Sequence, residues 1–390
     1  MPDRFVYLDY AASAPLSDAA RQAQLAYEKA PFTGANPNSL HTTGRQAARA
    51  LDAARADIAR CLGGRFRPQE VVFTSGGTES NNLALLGLAE GMRDRDRKRT
   101  KVVLSAIEHD SVLDVAPVLR ARGFDVELAL PNREGIVQPQ TIAELVDRQT
   151  ALVSLMSANN ETGVIQPIGE VARVAHDAGA LMHTDAVQAF GRIPLELYDV
   201  DAVSIAAHKI GGPVGVGVLA CRQRVRIRPQ SFGGGQESGR RAGTQDVCGA
   251  LAFAAAARDC CDHLDERRRL TAELALGLRD ALLHDGVALA SVSYDELPAE
   301  ARLAGIVSIL VPGVDSETLV LECDQAGFEV SAASACSSGS LEASHVLLAM
   351  GVPRDQALCS LRISFDHTVS ADDLQRLAHT LTDIAARRRR

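Results

Sequence analysis

From about residue 70 to 221, short apolar runs alternate with amphipathic stretches. Glu70–Ser75 reads EVVFTS and Lys101–His109 reads KVVLSAIEH. Phe124–Leu130, Thr150–Ser157, Ala180–Asp185, Ala202–Ala207 and Val214–Cys221 are similar, and many of their residues are β-branched. Such runs predict strands. Between several of them lie stretches with apolar residues at helical spacing, among them Ser111–Arg122 and Ile168–Ala178. Strands and helices in alternation predict an α/β domain with a mostly parallel sheet covered by helices.

The pattern changes after Gly233-Gly234-Gly235, a flexible break. Gln245 to about His284 is rich in alanine, leucine and charge, which predicts one long helix connecting two domains. Isolated strands follow at Gly305–Val311, Phe328–Ser331 and Leu361–Phe365. Helices are expected at Ser316–Ala326, Ser344–Met350 and Ala371–Ala386. This half reads as a smaller α+β domain. The expected division is a large domain over 16–262 and a small domain built from 1–15 and 263–390.

A chain of 390 residues is long for one core and suits two domains. Its 46% hydrophobic and 23% charged residues are ordinary for a globular protein. A net charge of −8 argues against direct nucleic-acid binding and against a membrane surface as the main partner. No apolar run reaches the length of a membrane helix, and Asp9 interrupts the only short apolar stretch at the N-terminus. A cytoplasmic location is therefore expected. Arg387–Arg390 read as a solvated tail. The eight cysteines are scattered, with no C-x-x-C pair. They read as thiols rather than a disulfide framework, most of them small packing residues.

Candidate chemistry gathers where strands end. Ala207-His208-Lys209 closes one apolar run and leads into Ile-Gly-Gly-Pro. A lysine among apolar neighbours has its pKa lowered and can form a Schiff base. Twenty-four residues upstream, His183-Thr184-Asp185-Ala186-Val187-Gln188 closes another. Asp185 there can pair with a protonated pyridine nitrogen, and Gln188 can donate to a ring hydroxyl. Ser75-Gly76-Gly77-Thr78-Glu79-Ser80 follows EVVFTS. Its glycines let backbone N–H groups approach a phosphate at the start of a helix. His109 can stack on a planar ring or move a proton. Gly215–Ala220 matches G-x-G-x-x-A but opens no helix, so it is not a dinucleotide site. No metal-ligand spacing occurs.

Taken together, these motifs resemble the cysteine desulfurases, a family of fold-type I pyridoxal-phosphate enzymes. The resemblance runs almost end to end. It takes in Tyr7–Ala12, Asn36–His41, Ser75–Asn81, Glu108-His109, Asn159–Gly163, His183–Gln188, His208–Gly212, Gly233–Thr244, Ser334-Ala335-Cys336 and Leu361–Ser364.

The resemblance implies a fold-type I PLP-transferase and residue roles within it. Lys209 is similar to the Schiff-base lysine, Asp185 to the partner of the pyridine nitrogen, and His109 to the stacking and proton-transfer histidine. Gly77, Thr78 and His208 match positions around the phosphate. Gln188 and Asn160 match contacts near the ring oxygen and the substrate. Thr244 resembles the residue that reaches the phosphate of the other subunit, which implies a homodimer. Arg362 resembles the clamp for the substrate carboxylate, with Asn36 and Asn160 beside the substrate. Cys336 resembles the cysteine that takes sulfur from L-cysteine as a persulfide, on the long mobile loop of one subgroup, leaving L-alanine. The large domain would bind the cofactor, and the small domain would carry the cysteine loop. A sulfur-acceptor or scaffold protein, in iron–sulfur assembly or thiolation, is the implied further partner.

Several positions depart from the family pattern. Ala206 stands in place of a phosphate-binding Ser or Thr. Tyr10, Ser13 and Ala14 replace the more usual opening residues. Phe365-Asp366-His367 follows the arginine, and Asp366 adds a negative charge near an anion site. Two other readings use part of this set. A β-lyase or aminotransferase would need Lys209 but not Cys336. A cofactor-free scaffold for sulfur transfer would need neither.

Overall fold

The structure is a computed structural model, and it describes residues 4–63, 66–284, 288–292, 297–332 and 342–388. Its strands in chain order are β1 (Val6–Tyr7), β2 (Val71–Thr74), β3 (Lys101–Ser105), β4 (Asp125–Ala129), β5 (Thr150–Ser154), β6 (Leu181–Asp185), β7 (Ala202–Ala206), β8 (Gly217–Cys221), β9 (Leu289–Ala290), β10 (Ile306–Leu310), β11 (Phe328–Glu329) and β12 (Ser360–Ser364).

Seven of them form one sheet in the order β2-β8-β7-β6-β5-β3-β4. The run from β7 to β4 is parallel, while β8 is antiparallel to both of its neighbours. Every residue of β5, β7 and β8 is buried, as expected of strands with helices on both faces. Side chains alternate between those faces. Val102 and Leu104 join the helix Gly77–Arg95 in one apolar cluster, whereas Val103 joins the helices Thr42–Leu62 and Val247–Asp262 in another.

A second unit has its own apolar cluster, in which Val307, Ile309, Leu361 and Ile363 meet Leu278, Leu282, Leu377 and Leu381. Its sheet is β12-β10-β9, antiparallel throughout. The helix Ala371–Arg388 buries Leu374, Leu377, Leu381 and Ile384 at helical spacing.

The single connecting helix predicted over Gln245–His284 is in fact two, Val247–Asp262 and Leu264–His284. His263, with φ −118° and ψ 18°, leaves the helical region between them. The sequence explains the break. Ala250, Ala252, Phe253, Ala254, Ala256 and Ala257 make the first helix apolar over most of its surface, and it is buried in the first cluster. The second is charged and amphipathic, and it packs through Leu278 and Leu282 on the other unit. One straight helix could not satisfy both cores.

The N-terminal segment links the units. β1 pairs parallel with β11, Leu8 lies in the second cluster, and Ala14 N donates to His208 O at 2.8 Å.

Candidate active site

After β3 the chain moves outward to β4 and returns on the other side of β3 as β5. In an open α/β sheet the crevice at such a reversal, at the carboxyl ends of the strands, is where ligands bind. His109 follows β3, Asn160 follows β5, Asp185 ends β6 and Lys209 follows β7. Four residues expected in the site therefore stand along one edge.

Asp185 is 5% exposed. Its Oδ1 accepts from Val187 N at 2.8 Å, and its Oδ2 accepts from Asn81 Nδ2 at 2.7 Å. Asn81 Nδ2 also donates to Ser111 Oγ at 2.9 Å, and Ser111 Oγ lies 2.9 Å from His109 Nδ1. Because Ser111 N donates to the same Nδ1 at 3.0 Å, the neutral ring carries its proton on Nε2. Asp185 and His109, read separately in the sequence, are thus joined through two buried polar residues.

Glu108 lies beside this chain and is fully buried. Burial, reinforced by the charge of Asp185, holds its carboxyl well above the usual carboxylate range. A second charge beside Asp185 is thereby disfavoured. Glu108 Oε1 accepts from Met156 N at 2.8 Å.

Lys209 sits in the short turn Ala207–Ile210. Its Nζ donates to Ala11 O at 2.7 Å and to Ala12 O at 2.8 Å. Gly211 ends the turn with φ +78°, and a Cβ on Gly212 would come within 2.8 Å of Ala207 Cβ. The paired glycines allow the chain to fold back under the lysine. Burial, followed by the charges of Lys209 and Arg192, lowers the His208 pKa to about 4, so its imidazole is neutral.

Gln188 faces inward. Its Nε2 donates to Ala11 O at 2.9 Å, and its Oε1 accepts from Arg192 Nη1 at 2.7 Å. Arg192 Nη2 donates to Tyr10 O at 3.2 Å and to Lys209 O at 3.0 Å. Burial lowers the Arg192 pKa to about 10, which leaves it charged at neutral pH.

The helix Gly77–Arg95 begins after Gly76, whose φ is +154°, and no side chain caps it. Its first N–H groups point along a helix start suited to an anion. A Cβ on Gly77 would stand 2.9 Å from Val187 Cγ2 and 3.7 Å from the buried Ala206 Cβ, so only glycine fits there. This cradle, the buried Asp185 carboxylate and the lysine on a parallel strand end fit a phosphorylated pyridine aldehyde.

Arg362 belongs to β12 of the other unit and is 4% exposed. Its Nη2 donates to Asp9 Oδ1 at 2.8 Å, and its Nη1 donates to Asn160 O at 3.1 Å. Its buried Nε has no hydrogen-bond partner among the described residues. An N–H held out of water without an acceptor is a ready contact for an anion. Glu161 is buried nearby. Its carboxyl is pushed up by burial and accepts from Ser344 Oγ.

The other expected residues are placed less directly. Cys336 lies outside the described residues, as do Ser334, Ala335 and Ser340. On either side of them, Ser331 bridges to Arg362 and Ser344 bonds to Glu161. Asn36 is exposed, and its Oδ1 accepts from Asn38 N at 2.9 Å. Thr244 is exposed, three residues beyond Arg241, which pairs with Glu79 at 2.9 Å. The structure does not bring Asn36 or Thr244 against Lys209. Among the described residues Arg362 pairs with Asp9 and not with Asp366, which accepts from Thr368 N at 2.9 Å and Thr368 Oγ1 at 2.6 Å. Thr368 Oγ1 in turn lies 3.2 Å from Tyr10 Oη. Two departures from the family pattern, Tyr10 and Asp366, are therefore neighbours. Both line a cavity of about 530 Å3 that Lys209 also borders.

Asn81, Glu108 and Asp9 fall within the matched motifs but were given no role, and Ser111 was not singled out. Asn81 carried one signal, since it lies four residues after Gly77 and so on the same helix face.

Comparison with known proteins places these features in context. The Aminotransferase class-V family model matches residues 6–377. The chain is 40% identical over 390 residues to the IscS-like cysteine desulfurase of Mycobacterium tuberculosis, covering 98% of this chain and 97% of that one. It is similar to a solved NifS-like protein with a TM-score of 0.88 and 33% identity, covering 98% and 99% of the two chains. A structure of SspA in complex with cysteine matches with a TM-score of 0.78 and 30% identity, covering 92% and 98%. Among the described residues, no helix is long and apolar enough to cross a membrane.

Proposed function

Because the chain belongs to the class-V aminotransferase family and, within it, to the pyridoxal-phosphate-dependent cysteine desulfurases, we propose that Lys209 binds pyridoxal 5'-phosphate and that Cys336 takes the sulfur of L-cysteine. When bound, the cofactor supplies an electrophilic carbon for an amine and a pyridinium ring that draws electron density from the substrate Cα. The rest falls to this chain.

The helix start at Gly77 and Thr78, with the neutral His208, would hold the phosphate. Asp185 would keep the ring nitrogen protonated, and Asn81 and Val187 N fix the direction of its carboxylate. His109 would lie against the ring, with its Nε2 proton available for transfer. Gln188 retains one Nε2 hydrogen for a ring oxygen, and Asn160 stands next to Arg362. Lys209, as a free amine, would take the Cα proton of the substrate. Arg362 would hold the substrate carboxylate. Cys336, as thiolate, would attack the substrate sulfur, whose bond to carbon breaks, leaving L-alanine and a persulfide on Cys336.

The observation that carries this reading is the chain Asp185–Asn81–Ser111–His109, at the strand edge where Lys209 also stands. It supports one role for those residues together, where each alone has a plain packing explanation. The SspA structure in complex with cysteine supports cysteine as the substrate.

The same reading includes a homodimer in which Thr244, and Asn36 near it through Asn38 and Gln245, act at the partner's site. It also includes a cytoplasmic location and a sulfur acceptor in iron–sulfur assembly or thiolation. The division into 16–262 and 1–15 with 263–390 is part of it, supported by the second apolar cluster and the break at His263, while Val346, Leu347 and Met350 pack in the first cluster.

Lys209→Ala tests the proposal. The purified variant should lose both the visible absorbance of bound cofactor and alanine production from L-cysteine. Normal alanine release by that variant would falsify the assignment. Pyruvate in place of alanine and persulfide would favour the β-lyase reading.

A further inference from the structure

Three of the cysteines outside the proposed site are buried, Cys221, Cys260 and Cys323, while Cys61, Cys248, Cys261 and Cys359 are half-buried. Two of the half-buried ones meet. Cys61 is the last residue but one of the helix Thr42–Leu62, and Cys261 is the last but one of Val247–Asp262. These helices pack against each other. Cys261 Sγ donates to Cys61 O at 3.7 Å, which sets its thiol against the end of the neighbouring helix.

We propose that Cys61 and Cys261 are a redox modification site, a dithiol that a small-molecule disulfide converts to a Cys61–Cys261 bridge. Cys61 is the attacking thiol. The neighbouring Cys261 thiol holds its pKa below the ordinary thiol value against the opposing effect of burial, and the Arg60 guanidinium favours its thiolate further. The thiol of Cys261 is pushed up by the nearness of Cys61 and by burial, and the Asp262 charge beside it acts in the same direction.

The chemistry closes in two exchanges. The Cys61 thiolate attacks one sulfur of a disulfide RSSR, forming Cys61–S–SR and releasing RS⁻. Cys261 then loses its proton and attacks the Cys61 sulfur, forming the protein disulfide and releasing a second RS⁻. Two protein thiols are oxidised, and one disulfide is reduced to two thiols. The bridge fastens the two helix ends together. Cys260, next to Cys261, donates to Ile210 O at 3.6 Å, so the fastened end lies against the turn that carries Lys209.

Oxidised glutathione is the probe, added without oxygen to the full-length protein loaded with its cofactor. The reaction is quenched with N-ethylmaleimide, and the peptides are mapped without reduction. Wild type should yield a peptide joining residues 61 and 261, with Cys61 reacting at least about tenfold faster than Cys359. In Cys261→Ser, reaction should stop at a glutathione adduct on Cys61. In Cys61→Ser, Cys261 should stay free. Circular dichroism of both variants confirms that they are folded. If Cys61 and Cys261 are still fully alkylated once Cys359 has reacted, the proposal is overturned. It is overturned equally if the adduct forms on Cys261 in the Cys61→Ser protein.

Discussion

Asp9 Oδ1 lies 2.8 Å from Arg362 Nη2, and the two side chains are 21% and 5% exposed. A carboxylate from the N-terminal segment therefore occupies part of the guanidinium proposed to hold the substrate's carboxylate. Arg362→Ala should lower kcat/KM for L-cysteine by roughly 30- to 1000-fold, the cost of losing about 2–4 kcal/mol of charge-assisted hydrogen bonding. Asp9→Asn removes the competing charge and should lower KM about threefold with kcat unchanged. Asp366→Gly should leave KM within about twofold, because that carboxylate is engaged by Thr368 and is partly exposed. Steady-state alanine production by the three variants decides among these outcomes.

Asn81 donates to both Asp185 and Ser111 from one amide nitrogen. Asn81→Ala should leave a buried carboxylate short of a donor and release the His109 side chain from its connection to it. The expected loss is about tenfold in kcat/KM, with weaker retention of the cofactor. Dialysis against cofactor-free buffer, followed by visible absorbance, reads the second effect. An unchanged spectrum together with unchanged turnover would show that Asp185 and His109 act independently.

His183 is fully buried, with Ser154 Oγ 2.9 Å from its Nδ1 and Ser204 Oγ 2.9 Å from its Nε2. Burial lowers its pKa from 6.5 to about 3. The unfolded chain then binds more protons than the folded one between these values. Stability should fall as pH drops below about 6.5, by up to about 1.4 kcal/mol per pH unit from this one group. His183→Asn cannot titrate in this range. Its deficit relative to wild type, read from urea unfolding, should narrow as pH is lowered from about 7 to about 5. A constant gap would mean that His183 carries its charge in the folded protein.

Thr244 is exposed next to a loop tied to Glu79 through Arg241. If it completes the partner's phosphate site, a Lys209→Ala dimer mixed with a crippled Thr244→Ala dimer should regain activity as hybrids form. Each hybrid would hold one site with both residues intact. Activity that never exceeds the sum of the two parents would place Thr244 at its own subunit's site.

The strands of the principal sheet and the strand-end positions of Asp185, His109 and Lys209 were legible in the sequence, because apolar runs and glycine turns are local signals. The break at His263 was not. It depends on two separate cores competing for one helix, and neither proline nor glycine marks the stretch from Ala250 to Leu276. Arg362 was legible as an arginine in a strand, but its engagement with Asp9 was not, since the two residues are 353 apart in sequence. Separation along the chain also hid the role of Asn81. Only folding places its amide against a carboxylate 104 residues away.

The wiring of the N-terminal segment also sets an order of assembly. β1 finds its partner in β11, Ala11 N donates to Ser364 Oγ at 2.9 Å, and the carbonyls of Ala11 and Ala12 receive Lys209. β1 must therefore wait for β11, far along the chain, before it can pair. Contacts between such distant parts of a chain form slowly, because a large loop must close first. During translation the principal sheet can condense while the segment beside Lys209 is still undocked. The lysine pocket is thus completed only after β11 and β12 have been made.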